Sequence, residues 1–175
     1  MKRIGEVFAC AILALAFVVS VPLYASAHER LRPALAPFQF MLGSWRCTSW
    51  VAATNQGAPR VDAITARYSV VGGGTGLDQD VVGPSYRSFA VFGYEASSKR
   101  IVTAAYANDG SYAHASSQGW AGNAITLNGS YQRGASGVDL RDILVKFTER
   151  RFTDTTEIRE GGRWKTVANS DCSKG

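Results

Sequence analysis

From Trp45 onward apolar and polar positions alternate with a period of two, and no stretch shows the 3.6-residue spacing of an amphipathic helix. Short runs rich in Val, Ile, Thr, Tyr and Phe predict ten strands, at 45–52, 61–71, 77–82, 87–94, 101–107, 111–118, 123–131, 139–149, 151–158 and 164–170. The runs are joined by turn chemistry: Gly72-Gly73-Gly74, Gly83-Pro84-Ser85, Asn108-Asp109-Gly110, Ala121-Gly122-Asn123, Gly134-Ala135-Ser136-Gly137 and Gly161-Gly162. Glycine and Asn-Asp-Gly supply the positive φ angles that tight reversals demand. Connections this short join only antiparallel neighbours, because a parallel pair needs a crossover of a dozen or more residues. A long meander must also manage its two edges, and closing the sheet on itself removes them. The predicted fold class is therefore all-β, a closed antiparallel meander barrel of about ten strands. A two-sheet sandwich is the alternative if the glycine runs mark corners rather than hairpins.

The start of the chain has a different pattern. Lys2 and Arg3 precede an almost unbroken apolar run from Val7 to Ala25, interrupted at Pro22 and followed by Ala25-Ser26-Ala27. A basic start, an apolar stretch and a small-x-small site predict a signal peptide over 1–27, leaving one barrel domain over 28–175. The competing reading is an uncleaved anchor, since about 18 apolar residues nearly span a bilayer. Cleavage predicts a periplasmic or secreted protein with no membrane attachment, and it removes Cys10. Two prolines between Arg30 and Pro37 predict a short lead-in or a single helical turn before the first strand.

Charge changes the picture little. The net charge of +5 loses Lys2, Arg3 and Glu6 with the signal, which leaves +4 scattered along the mature chain. Nucleic-acid binders concentrate basic residues on one face, so a nucleic-acid partner is not expected. Two cysteines remain, Cys47 and Cys172, near the two ends of a domain that folds in an oxidising compartment. One disulfide is the direct reading, and closure supports it, because the first and last strands are neighbours only in a closed barrel. Two unpaired buried thiols are the alternative. Two cysteines without histidine neighbours cannot make a four-ligand zinc site.

Phe38-Gln39-Phe40-Met41-Leu42-Gly43-Ser44-Trp45, an apolar lead-in ending in Gly-x-Trp, resembles the entry to a calycin barrel, the superfamily of lipocalins and fatty-acid-binding proteins. In that resemblance Trp45 plugs one barrel end and Gly43 lets the entering chain pass close beneath it. More of the chain is similar to the bacterial DUF1579 family of lipocalin-like proteins. The matching pieces are Gly43-x-Trp45, Gly73-Gly74-x-Gly76-Leu77, Phe92-Gly93-Tyr94, Asn108-Asp109-Gly110, Gly119-Trp120-x-Gly122 and Gly162-x-Trp164. Glu95 and Gly161-Gly162 depart from that family's pattern at turns. The resemblance implies a lipocalin-like fold and carries over no catalytic residues. The longer Gly-x-Trp-x-Gly-x-Gly opening of haem-binding nitrobindin-type barrels is absent, since Arg46-Cys47-Thr48-Ser49 follows the tryptophan.

No Gly-x-Ser-x-Gly, Walker loop, His-Glu-x-x-His or Cys-x-x-Cys occurs. His114 alternates with Tyr112 and Ser116 on one strand face, opposite Ala113, Ala115 and Ser117, and either face can point inward. His28, freed by cleavage, would offer an amine and an imidazole to copper with His114 as a further donor, against the plainer reading of a mobile lead-in. Asp78 and Asp80 share a strand face in the manner of a carboxylate pair, but an exposed barrel surface explains them as well. Barrels of this size either pack solid or hold one small ligand. Alanines at 63, 90, 104, 105, 113 and 115 point to unfilled space. The expected function is non-catalytic binding of a small apolar or amphipathic molecule, with no cofactor or metal. Candidate cavity residues are Tyr68, Phe92, Tyr94, Tyr106, Tyr112, His114 and Phe147. Two alternatives remain, a haem- or metal-binding barrel using His114 and a packed structural or partner-binding module.

Overall fold

The computed structural model describes residues 30–53 and 58–175. The signal peptide expected over 1–27 and His28 lie outside the described residues. Pro33 presets the backbone for a helical start, and the lead-in is a 3₁₀ helix over Pro33–Met41 that buries Leu35, Phe38, Phe40 and Met41. It is longer than the single turn expected from the two prolines.

Eleven strands follow among the described residues: β1 Gly43–Val51, β2 Arg60–Val71, β3 Gly76–Val82, β4 Arg87–Glu95, β5 Arg100–Ala107, β6 Ser111–Ser117, β7 Trp120–Ala121, β8 Ala124–Arg133, β9 Ser136–Thr148, β10 Arg151–Glu160 and β11 Arg163–Ser173. Every pairing is antiparallel, and apart from β7 successive strands are neighbours. Two further pairings, β1 with β11 and β6 with β8, close the ring into a ten-stranded meander barrel. Closure excludes the sandwich. The extra element, β7, is a two-residue strand paired with the start of β8. It falls between the strands expected at 111–118 and 123–131 and overlaps the Ala121-Gly122-Asn123 turn.

Closure has a local requirement. At the β6–β8 seam Gly129 lies opposite Ala115, and a Cβ added there would stand 1.8 Å from the His114 carbonyl oxygen. Glycine inside an otherwise regular strand marks such a close backbone approach. Gly43 has another role than the one expected of it. A Cβ there would meet nothing within 4 Å, and it is the φ of +101° that requires glycine at the entry to β1.

Alternation along β1 turns Trp45, Cys47 and Ser49 inward and Arg46, Thr48 and Trp50 outward. Cys47 faces Cys172 directly in the β1–β11 register, and their sulfurs are bonded at 2.01 Å. Cys172 therefore lies on the last strand, where the sequence places it just beyond. Both cysteines are buried, and the unpaired-thiol reading is set aside.

The lead-in helix packs under one end of the barrel. Phe38 contacts Phe92 and Trp120 at ring-centroid distances of 5.5 and 5.4 Å, while Trp45 meets Phe152 edge-on at 4.7 Å. The Trp45 indole donates to the Met41 carbonyl at 2.6 Å, so a buried polar atom is satisfied by the segment that buries it. Lys174 Nζ donates to the Phe40 carbonyl at 2.6 Å and lies 4.9 Å from the Trp45 ring centre, sealing this end from outside. This end is closed.

Candidate ligand-binding cavity

The opposite end is not filled. A cavity of about 420 Å³ occupies the barrel interior above Phe152 and Tyr68, within the range of small-molecule sites. Its volume follows from residue size. The inward positions Ala66 on β2, Ala105 on β5 and Ala113 on β6 carry a single methyl group where the closed end carries rings. Ile64, Val81, Leu140 and Ile158 make an apolar belt. Of the six alanines expected to leave space, Ala63 is exposed and Ala104 pairs with His114 on the outer face.

Polar groups occur at two levels. At the mouth, Arg60 pairs with Asp62 at 2.7 Å and Arg133 with Asp109 at 3.4 Å. Deeper, Asp142 on β9 and Asp154 on β10 face the interior. Asp142 lies opposite Thr156 in the β9–β10 register, so the two carboxyls are diagonal neighbours on one face. Burial pushes Asp142 above the usual carboxylate range to about 6, and burial together with the neighbouring Asp142 charge raises Asp154 to about 8. One oxygen of each, Oδ1, is buried without a hydrogen-bond partner among the described residues. On the floor, Gln79 Nε2 donates to the Tyr68 hydroxyl at 2.8 Å, and burial raises the Tyr68 pKa.

The seven aromatic and histidine candidates distribute unevenly. Tyr68 lines the cavity, and Tyr106 contributes at its rim while 60% exposed. Phe92 belongs to the closed-end core. Tyr94 and Phe147 are exposed at 41% and 54%. Tyr112 and His114 stack on each other outside the barrel at 5.7 Å, with Tyr106 on the far side of Tyr112 at 4.8 Å. His114 is exposed, with Nδ1 3.3 Å from the Ser130 hydroxyl, so its ring cannot ligate a haem held in the interior. The inward face of β6 is the alanine face. Asp78 and Asp80 lie on the outer face, where Asp78 accepts the Ser69 backbone N–H at 3.1 Å and Asp80 pairs with Arg87 at 3.2 Å.

The cavity acids carry a sequence signal that aromatic content does not reveal. Leu140-x-Asp142-x-Leu144 and Phe152-x-Asp154-x-Thr156-x-Ile158 place an acid at alternate positions of an otherwise buried strand face.

No family model matches the chain, and no curated protein matches it. Among solved structures it is similar to Rv2717c from M. tuberculosis, with a TM-score of 0.60 at 12% identity, over 83% of this chain and 99% of that one. At that identity the likeness is one of fold: the chain shares a barrel architecture with Rv2717c.

Proposed function

We propose that this is an exported, lipocalin-like, non-catalytic barrel that holds one small amphipathic molecule in its open end. The observation that carries the reading is the cavity itself, walled by a belt of branched apolar side chains and bounded by a sealed floor. The amino-terminal pattern over 1–27 supports export to the periplasm or beyond, as does a disulfide of the kind that persists in oxidising compartments. The run of DUF1579-like motifs from Gly43 to Trp164 supports placing the barrel with that lipocalin-like group.

Thermal melts with a panel of amphipathic probes test the reading. Saturation to about 100-fold above Kd stabilises the fold by about 2.7 kcal/mol. Ala113→Trp and Ala105→Trp, which fill the cavity from β6 and β5, abolish the shift and leave the barrel folded. Wild-type protein that no probe shifts sinks the proposal. The partner-binding reading would then come first, since Phe89 and Tyr106 stand side by side on the outer face, 45% and 60% exposed.

A further inference from the structure

Charged groups are unevenly paired inside the barrel. Among the described residues that line the cavity there are four aspartates, Asp62, Asp109, Asp142 and Asp154, and two basic side chains, Arg60 and Arg133. Both arginines are taken at the mouth, by Asp62 and Asp109. The two carboxyls further in have no cationic partner among the described residues. Their polar surroundings are sparse as well. Asp142 has the Thr156 hydroxyl, while Ser170, opposite Asp154 on β11, gives its hydroxyl proton to Ser49 at 3.0 Å. The Oδ1 atoms of Asp142 and Asp154 have no donor among the described residues.

An uncompensated carboxylate in an apolar enclosure is costly, and it either keeps its proton or meets a cation. We propose that the cavity takes an amphipathic cation, a small molecule whose protonated amine seats against the Asp142–Asp154 pair and whose apolar body lies along Ile64, Val81, Leu140 and Ile158. This inference rests on the ligand-holding reading above. The ammonium supplies up to three N–H donors, enough for both orphan oxygens, and replaces the proton that the pair otherwise retains. The same pair repels a carboxylate, so a fatty acid anion is the poorest fit of its size. Affinity for the amine falls as the pair is protonated. The other titratable groups lining the cavity are Tyr68, Arg60 and Asp62 from β2, Tyr131 and Arg133 from β8, and Tyr86, Tyr106 and Asp109 toward the mouth.

The test compares octylamine, 1-octanol and octanoate by calorimetric titration at pH 7.5, in wild type and in Asp142→Asn/Asp154→Asn, whose fold is checked by its circular-dichroism melt. The wild type should bind the amine about tenfold or more tightly than the alcohol, with octanoate weakest. The double variant should lose that preference while its affinity for octanol is unchanged. Single Asp154→Asn and the wild type at pH 4.5, where the amine stays charged and the pair is protonated, should each shrink the preference, and either serves if the double variant does not fold. Octanol binding with no preference for the amine overturns this inference and leaves the ligand-holding reading standing. Failure of all three probes removes both.

Discussion

The two ends of the barrel are made from the same strands, and they differ in what each strand places on its inner face. On β1 the inward sequence runs from Trp45 through Cys47 to Ser49; on β10 it runs from Phe152 to Asp154 and Thr156; on β8, from Ile125 and Leu127 to Gly129 and Tyr131. At one end large side chains reach the axis and interlock with the lead-in helix, at the density expected of a protein interior. Two residues further along each strand, one turn of the alternation, the side chains become short or polar and the axis opens. Dense packing and open space are thus divided along the barrel axis.

That division predicts a graded response to mutation. Trp45→Ala removes the ring that meets Phe152 and leaves the Met41 carbonyl without its donor, and it should cost about 3–5 kcal/mol in chemical denaturation. Ile158→Ala, which truncates an apolar side chain of the open-end belt, should cost about 1–2 kcal/mol, because the group already borders open space. Equal losses at the two sites would break the comparison.

The disulfide sits where the two ends meet and ties β1 to β11 across the closure. It joins residues 125 apart in sequence, and constraining the unfolded chain over that span stabilises the fold by an upper estimate of about 5 kcal/mol, more commonly about 2–4. Cys47→Ala/Cys172→Ala should lower stability by that amount, and thiol titration of the denatured, unreduced wild type should find neither of these cysteines reactive. A double variant as stable as wild type would place closure entirely in the strand pairing.

Much of this architecture was legible in the alternation of the chain. The ten barrel strands, their meander order and the β1–β11 adjacency all follow from period-two runs and short glycine turns, because those two signals are local. The direction each face points is not local. On β6 the Tyr112/His114 and Ala113/Ala115 faces are equally plausible inward sets until the register with β5 and β8 is known, and aromatic residues lie on both faces of this barrel. A candidate site chosen by aromatic content therefore takes in Tyr94 and Phe147 on the outside and omits Asp142 and Asp154. Their signal lies in an acid at i+2 from buried leucine or phenylalanine, a pattern that becomes informative once one strand face is known to be the interior.

The acid pair sharpens the comparison in a way that truncation cannot. An acid whose folded pKa is raised keeps its proton in the native state at pH values where the unfolded chain has lost it. The native state then binds more protons than the unfolded one, and stability falls with rising pH. For this pair the fall begins above the ordinary aspartate pKa of 3.8 and continues through about 6 to about 8. We expect wild-type stability to decline steadily from pH 4.5 to 8, and Asp154→Asn to flatten most of that decline. A pH-independent denaturation midpoint in the wild type would show that the interior holds these carboxyls ionised.

The smallest effect is expected at His114. Its ring lies outside the barrel, stacks at 5.7 Å on Tyr112 and has the Ser130 hydroxyl at 3.3 Å. A long, solvent-exposed hydrogen bond and one aromatic contact at the surface place His114→Ala within about 0.5 kcal/mol of wild type. Probe affinity should be unchanged, since the side chain does not reach the cavity wall, where Ala113 turns inward from the same strand. The substitution nevertheless discriminates between faces. Ala113→Trp, one residue away, should abolish the thermal shift with the same probes, so the adjacent pair reads the inward and outward faces of β6 directly. Loss of binding in His114→Ala with retention in Ala113→Trp would reverse the assignment of the two faces and move the functional surface to the outside of the barrel.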